Sequence, residues 1–202
     1  SDDQVLYVGM QSSGVWKTED DGETWREINS GFRIDPYYGV SIRSLALDPN
    51  NPLHLLAGTE VSGGLPAAVH ETWNGGASWS PIANGPTFLA DKVHFVRSSP
   101  GTILLGTLGG GVWRSPDNGT NWAPNAAFPQ YSNITDIAEE AGGRLFACQT
   151  ATFNTQGGVF VSDTGGVSWT FDESPGGFRS MAADASTPGR IMGGLPGGGM
   201  LF

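Results

Sequence analysis

Thr18-Glu19-Asp20-Asp21-Gly22-Glu23-Thr24-Trp25 decides the reading of this chain, because it returns three times. The later copies are Thr72-Trp73-Asn74-Gly75-Gly76-Ala77-Ser78-Trp79, Ser115-Pro116-Asp117-Asn118-Gly119-Thr120-Asn121-Trp122 and Ser162-Asp163-Thr164-Gly165-Gly166-Val167-Ser168-Trp169. The shared pattern is Ser/Thr-x-Asp/Asn-x-Gly-x-Ser/Thr-Trp, and its tryptophans lie 54, 43 and 47 residues apart.

A period of this size marks an array of supersecondary units, and it has room for one four-stranded antiparallel sheet per repeat, the size of a propeller blade. Short apolar runs supply the strands, termed A to D. The second repeat reads A at 41–48, B at 53–58, C at 67–71, the box, then D after Trp79; the third reads 92–97, 102–106 and 111–114, and the fourth 133–138, 144–149 and 158–161. The chain enters at B (4–9) and C (14–17) with no A before them, and ends with A (178–183), B (190–193) and a C-like 199–202. The expectation is an all-β propeller domain over 1–202 with 18 strands in about four to five blades: partial blades at 1–30 and 178–202, whole ones at 41–82, 92–125 and 133–172. Open edge strands invite pairing. The reading therefore favours a fragment of a longer propeller, or a ring completed by a protein partner or a second copy, over a self-closed monomer.

Composition agrees. The 202 residues include 31 glycines and 13 prolines, with no helix-favouring run, as expected of short strands joined by tight turns. Twenty acidic against ten basic residues give a net charge of -10, and Lys17 and Lys92 are the only lysines. Such a surface repels phosphate backbones and argues against nucleic acid. No apolar run approaches the roughly 18 residues of a membrane span. The single Cys148 lies in an apolar run and reads as a small core residue. Ser1 reads as a processed mature terminus or an artificial boundary, which points to a secreted, periplasmic or cell-surface protein.

The box has a local physical logic. Gly22, Gly76, Gly119 and Gly166 fall where a C–D hairpin needs positive φ. The Asp or Asn two residues earlier accepts hydrogen bonds from backbone amides of the turn, and Trp25, Trp79, Trp122 and Trp169 open strand D and wedge between blades. A calcium loop is not supported, since the spacing lacks a twelfth-position glutamate.

These residues resemble the Asp-box, or BNR, repeat of sialidases, xyloglucanase-type glycoside hydrolases, sortilin-type receptors and photosystem II assembly-factor-type propellers. The 42–52 stretch, Ile-Arg-Ser-Leu-Ala-Leu-Asp-Pro-Asn-Asn-Pro, also resembles the A–B connection of the xyloglucanase and sortilin groups. Asn74 and Thr164 depart from the pattern by replacing the aspartate, and Asn121 by replacing the second Ser/Thr. Thr164 is the weakest substitute, so its turn is expected to be the least rigid. The resemblance implies that the box is structural and lies away from the ligand.

With boxes on the C–D turns, a site belongs to the B–C and D–A loops at 29–40, 58–66, 83–91, 123–132 and 150–157. These hold Arg33, Asp35, Tyr37, Tyr38, Glu60, Asp91, Tyr131, Phe153 and Asn154, a mixture that suits carbohydrate or peptide; Tyr37 and Tyr38 also read as covering a seam between blades. Aligned A strands place Arg43, His94, Thr135 and Arg179 in one column, which would either bind an anion or pair with acids of adjacent blades. Phe32-Arg33-Ile34-Asp35-Pro36 resembles the Phe-Arg-Ile-Pro motif of sialidases, but Asp35 interrupts it and it follows the first box. An inverting hydrolase needs two carboxylates roughly 6.5–9.5 Å apart, for which Asp35, Glu60 and Asp91 are candidates by position. Glu139-Glu140 and Asp172-Glu173 read as solvated turns. His54, His70 and His94 are too dispersed for a local metal motif, and nothing calls for a cofactor. Asn118-Gly-Thr and Asn133-Ile-Thr match glycosylation sequons. The leading functional expectation is a non-enzymatic binding or scaffold propeller within a larger assembly; the alternative is a glycoside hydrolase of sialidase or xyloglucanase type.

Overall fold

A computed structural model describes residues 4–37, 39–60, 69–154, 156–172, 177–184, 187–194 and 200–201. Tyr38, residues 67–68 of one expected strand and the ends of the C-like stretch 199–202 lie outside them. The chain divides into two compact units, residues 1–90 and 91–202.

In the first unit β1 (Leu6–Met10), β2 (Gly14–Thr18) and β3 (Arg26–Glu27) form one antiparallel sheet, and β4 (Ile42–Asp48), β5 (Asn51–Thr59), β6 (Val69–Thr72) and β7 (Ser80–Pro81) form another. Val15, Ile28, Phe32, Val40, Ile42, Leu55, Ala57 and Trp79 make the core between them. Phe32 stacks on Trp79 with ring centroids 4.9 Å apart. Trp79 donates its Nε1–H to the Ile28 carbonyl at 2.7 Å and its backbone N–H to Ser30 at 2.8 Å. The box of one blade is thereby bonded to the segment that follows the outer strand of the blade before it.

The second unit holds three sheets in the same strand order. They are β8 (Ala90–Phe95) to β11 (Ala123–Pro124), with β9 (Ile103–Thr107) and β10 (Gly111–Ser115) between; β12 (Asn133–Glu139), β13 (Leu145–Thr150), β14 (Gly158–Ser162) and β15 (Thr170–Asp172); and β16 (Ser180–Ala183), β17 (Ile191–Gly194) and β18 (Met200–Leu201). Strand β13 explains the unbroken apolar run Leu145-Phe146-Ala147-Cys148: Leu145 and Ala147 join the core shared with Leu104, Val112 and Phe160, whereas Phe146 and Cys148 join the one shared with Phe178 and Met181. A strand covered on both faces has no reason to alternate. Strand β1 is apolar too, but only partly covered, leaving Leu6, Val8 and Met10 at 42–44% exposure.

Among the described residues the eighteen strands fall into sheets of three, four, four, four and three. This is the expected all-β arrangement, with strand A missing from the first sheet and strand D from the last.

Candidate functional site

Each sheet has a turn end and a loop end, and the boxes fix the turn end. In all four copies the first hydroxyl accepts the glycine N–H, from Gly22 to Thr18 (3.0 Å), Gly76 to Thr72 (3.1 Å), Gly119 to Ser115 (2.8 Å) and Gly166 to Ser162 (3.0 Å). The third side chain accepts the seventh residue's N–H at 2.9–3.0 Å, whether it is Asp20, Asn74, Asp117 or Thr164. Thr164 thus closes its turn with a hydroxyl where the others use a carboxylate or amide. Hydrogen bonds from Thr18 and Thr24 hold the Asp20 carboxyl down at about 2, and those from Asn121 lower Asp117. The residue before each glycine is left-handed as well: Asp21, Gly75, Asn118 and Gly165 have φ of 55–65°. Two successive positive φ values are the signature of a type I′ hairpin turn. The box tryptophans divide by environment, Trp79 and Trp169 being buried and Trp25 37% exposed.

At the loop end of the second unit the structure opens a cleft of about 280 Å³, lined by Leu108, Gly109, Tyr131, Asn133, Thr152, Phe153 and Asn154. Its walls come from the loop after β9, the β11–β12 connection and the loop after β13. Tyr131 is 54% exposed and Phe153 fully so. Tyr131 has φ +69°, a costly backbone state for a bulky residue. The next residue secures it: Ser132 is fully buried, its Oγ donates to the Pro129 carbonyl (2.7 Å), and its own carbonyl accepts the N–H groups of Gly109 and Gly111. Thr152 accepts the Asn154 N–H at 3.1 Å, shaping the turn that carries Phe153. Among the described residues no charged side chain lines this cleft. Two aromatic surfaces with amides and a hydroxyl between them can stack on the C–H face of a sugar ring and bond its hydroxyls.

The loop-end reading therefore gathers Tyr131, Phe153 and Asn154, while Leu108, Asn133 and Thr152 were not among the expected residues. Asp35 lies in a tight turn, exchanging backbone hydrogen bonds with Gly39 and accepting the Tyr37 N–H at 2.8 Å. Tyr37 is 90% exposed, and Arg33 is exposed beside the buried Phe32. Glu60 is 3.8 Å from Arg43. Asp91 is half-buried on β8. In the A-strand column, Arg43 and Thr135 occupy register shifts of β4 and β12, where a bulge redirects the side chain. Thr135 donates to the Phe178 carbonyl at 3.2 Å, His94 lies 3.3 Å from Glu139, and Arg179 is exposed, with no ion pair to another described residue.

The Glu139-Glu140 pair is not a solvated turn. Glu139 is 6% exposed and Glu140 5%. Glu139 accepts the N–H groups of Arg97 (2.7 Å) and Ser98 (2.8 Å), and Glu140 accepts that of Gly189. Asp136, also buried, accepts the Met181 N–H at 2.7 Å and pairs with Lys92 at 2.8 Å. The three acids of this blade join it to both neighbours in its unit, because buried backbone donors at the seams need acceptors. Glu173 lies outside the described residues. Among the described residues no group of three His, Cys, Asp or Glu side chains is placed to hold a metal.

No protein-family model matches the chain. Among curated proteins it is similar to xyloglucanase Xgh74A of Acetivibrio thermocellus, 23% identical over a 198-residue alignment covering 82% of this chain and 24% of that enzyme. It is also similar to a xyloglucanase of a Paenibacillus species, 26% identical over 203 residues, covering 84% of this chain and 19% of that one. The chain spans about a quarter or less of these relatives. Among solved structures, an ancestral GH74 enzyme superposes with a TM-score of 0.73 at 21% identity, covering 99% of this chain and 29% of that one. YCF48 bound to D1 peptide superposes with a TM-score of 0.64 at 18% identity, covering 98% and 60%. The relatives agree with the glycoside-hydrolase alternative better than with the non-enzymatic reading placed first. The fold is that of a β-propeller, and the curated proteins it resembles are glycoside hydrolases.

Proposed function

We propose that the chain is a saccharide-binding part of a secreted glycoside hydrolase of xyloglucanase type, built on Asp-box blades. The observation that carries the reading is the uncharged cleft between Tyr131 and Phe153. A neutral glucan offers alternating C–H faces and hydroxyl rims but no charge, so its site needs aromatic planes and amides. A sialic acid would instead need arginines around its carboxylate, and among the described residues none lines the cleft. The strain held at Tyr131 supports the same reading, because positive φ at a bulky residue is retained where an aimed side chain is useful.

Calorimetric titration with a xyloglucan oligosaccharide tests this. Tyr131→Ala and Phe153→Ala should each weaken binding about tenfold, the loss of one aromatic stacking surface; absent wild-type binding, or unchanged binding in both variants, refutes it. Hydrolysis is tested separately by the release of reducing ends, with Asp35→Asn, Glu60→Gln and Asp91→Asn as variants of the candidate acids. A second reading, binding without hydrolysis, is favoured by the engagement of Asp35 in its own turn and the nearness of Glu60 to Arg43. Binding with no product release, and with none of the three variants having any effect, would select it.

A further inference from the structure

We propose that Trp73 is a second saccharide platform, at the turn end of its sheet and separate from the cleft residues. Trp73 holds the second position of its box, where the sister copies carry Glu19, Pro116 and Asp163. Nothing in the turn requires an aromatic there, since the hydrogen bonds of all four boxes come from other positions. Yet the indole is 50% exposed. Its underside lies flat on His54, with ring centroids 3.6 Å apart and planes 7° from parallel. His54 is itself fully buried, its Nδ1 3.0 Å from Asp48 Oδ2 and its Nε2 3.9 Å from Glu71 Oε2. One face of the indole is therefore seated on a buried ring held through Nδ1 by Asp48, and the exposed half of the residue is presented on a supported plane.

The surroundings match an amphipathic ring. Leu53 is 53% exposed and borders the same turn, for a Cβ on Gly75 would stand 3.3 Å from Leu53 Cδ2 and 3.4 Å from the Tyr7 hydroxyl. The Glu71 side chain, 25% exposed and 3.9 Å from the His54 ring under the indole, adds an acceptor nearby. An exposed indole on a turn bordered by Leu53, the Tyr7 hydroxyl and, 3.9 Å from the same Cβ position, the Lys17 ammonium suits a pyranose stacked through its C–H face with its hydroxyls at the edge. Preorganisation by His54 removes the cost of fixing the indole on binding. The platform is read from its own geometry; its ligand class, a neutral β-linked glucan, rests on the function proposed above.

The test is a titration with cellohexaose followed by the Trp73 indole N–H resonance and by calorimetry. The wild type should show a ligand-dependent shift of that resonance. Trp73→Asp, which installs the residue found at Asp163 of the fourth copy, should lose this component, with binding at the platform weakened at least about tenfold, and keep the cleft component. The double variant Tyr131→Ala/Phe153→Ala should do the reverse. Unchanged calorimetric binding in Trp73→Asp, or a wild-type indole resonance that stays still at millimolar cellohexaose, overturns the platform. Loss of the cleft component alone in the double variant decides only the other reading, whereas loss of the indole shift in that variant also overturns the platform. Should Trp73→Asp fail to fold, the wild-type indole shift decides by itself.

Discussion

Glu139 offers the sharpest test of how these blades are joined. Its side chain is 1% exposed, and burial alone would push its pKa up. Hydrogen bonds from His94 and Ser98 and from the backbone amides of Arg97 and Ser98 outweigh that and hold it at about 2, against an ordinary 4.5. A folded-state value below the unfolded one means that the ionised carboxylate stabilises the fold above the unfolded value, and that this contribution disappears as pH falls from 4.5 towards 2. The lowering corresponds to about 3 kcal/mol, of which about 2 kcal/mol is gone by pH 3. Glu139→Gln removes the charge and turns an amide NH2 towards a backbone N–H, so it should cost about 2–3 kcal/mol at neutral pH. It should also flatten the acid limb: between pH 7 and pH 3 the variant should lose about 2 kcal/mol less than the wild type. Urea unfolding at pH 7, 5 and 3 reads both quantities. Parallel pH profiles for the two proteins, or a neutral-pH difference below about 0.5 kcal/mol, would refute the reasoning.

Trp79→Ala should cost about 3–5 kcal/mol in thermal or urea unfolding, because the ring is 3% exposed, stacked on Phe32 and bonded to Ile28; Trp25→Ala, at a site 37% exposed, should cost much less. Gly22→Ala should lose about 1–2 kcal/mol for its left-handed backbone alone, its nearest new contact being 3.8 Å away, whereas Gly76→Ala also drives a methyl into Ile28 and should lose clearly more in the same assay. The Asp20 carboxyl should titrate at about 2 by NMR, and Thr24→Val, which removes one of its donors, should raise that value. Cys148, its thiol pushed up to about 12 mainly by burial, should resist iodoacetamide at pH 8 in the folded protein and react on unfolding.

The features legible in the sequence are the ones made by neighbours along the chain. A box turn is closed by its own residues: Thr18, Asp20 and Gly22 bond within four positions, so a repeated pattern carries its geometry wherever it recurs. The strand order and the identity of the loop end follow from counting between boxes. That was enough to place Tyr131, Phe153 and Asn154 at the loop end, where they line one cleft. It did not supply Leu108 or Asn133, which lie outside the expected loops, since the cleft closes only when three separate connections meet. Trp73 escaped notice although it had a signal, an aromatic where the other boxes carry charge or proline; only the stack on buried His54 gives that departure a use.

What the tertiary structure alone decided is which side chains have company. Glu139-Glu140 beside Ala141-Gly142-Gly143 has the composition of a wet turn, and its burial comes from Arg97 and Ser98, 42 and 41 residues away. Trp25 and Trp79 share one motif, yet burial separates them, because a tryptophan in a turn cannot encode whether another sheet covers it. Strands β1 and β13 are equally apolar as text; one is covered on both faces and the other only in part. The sequence by itself determined local turns, strand periodicity and the repeat, since these depend on bonds between near neighbours. Burial, seam acceptors and the cleft depend on which distant strands pack together, and that belongs to the fold.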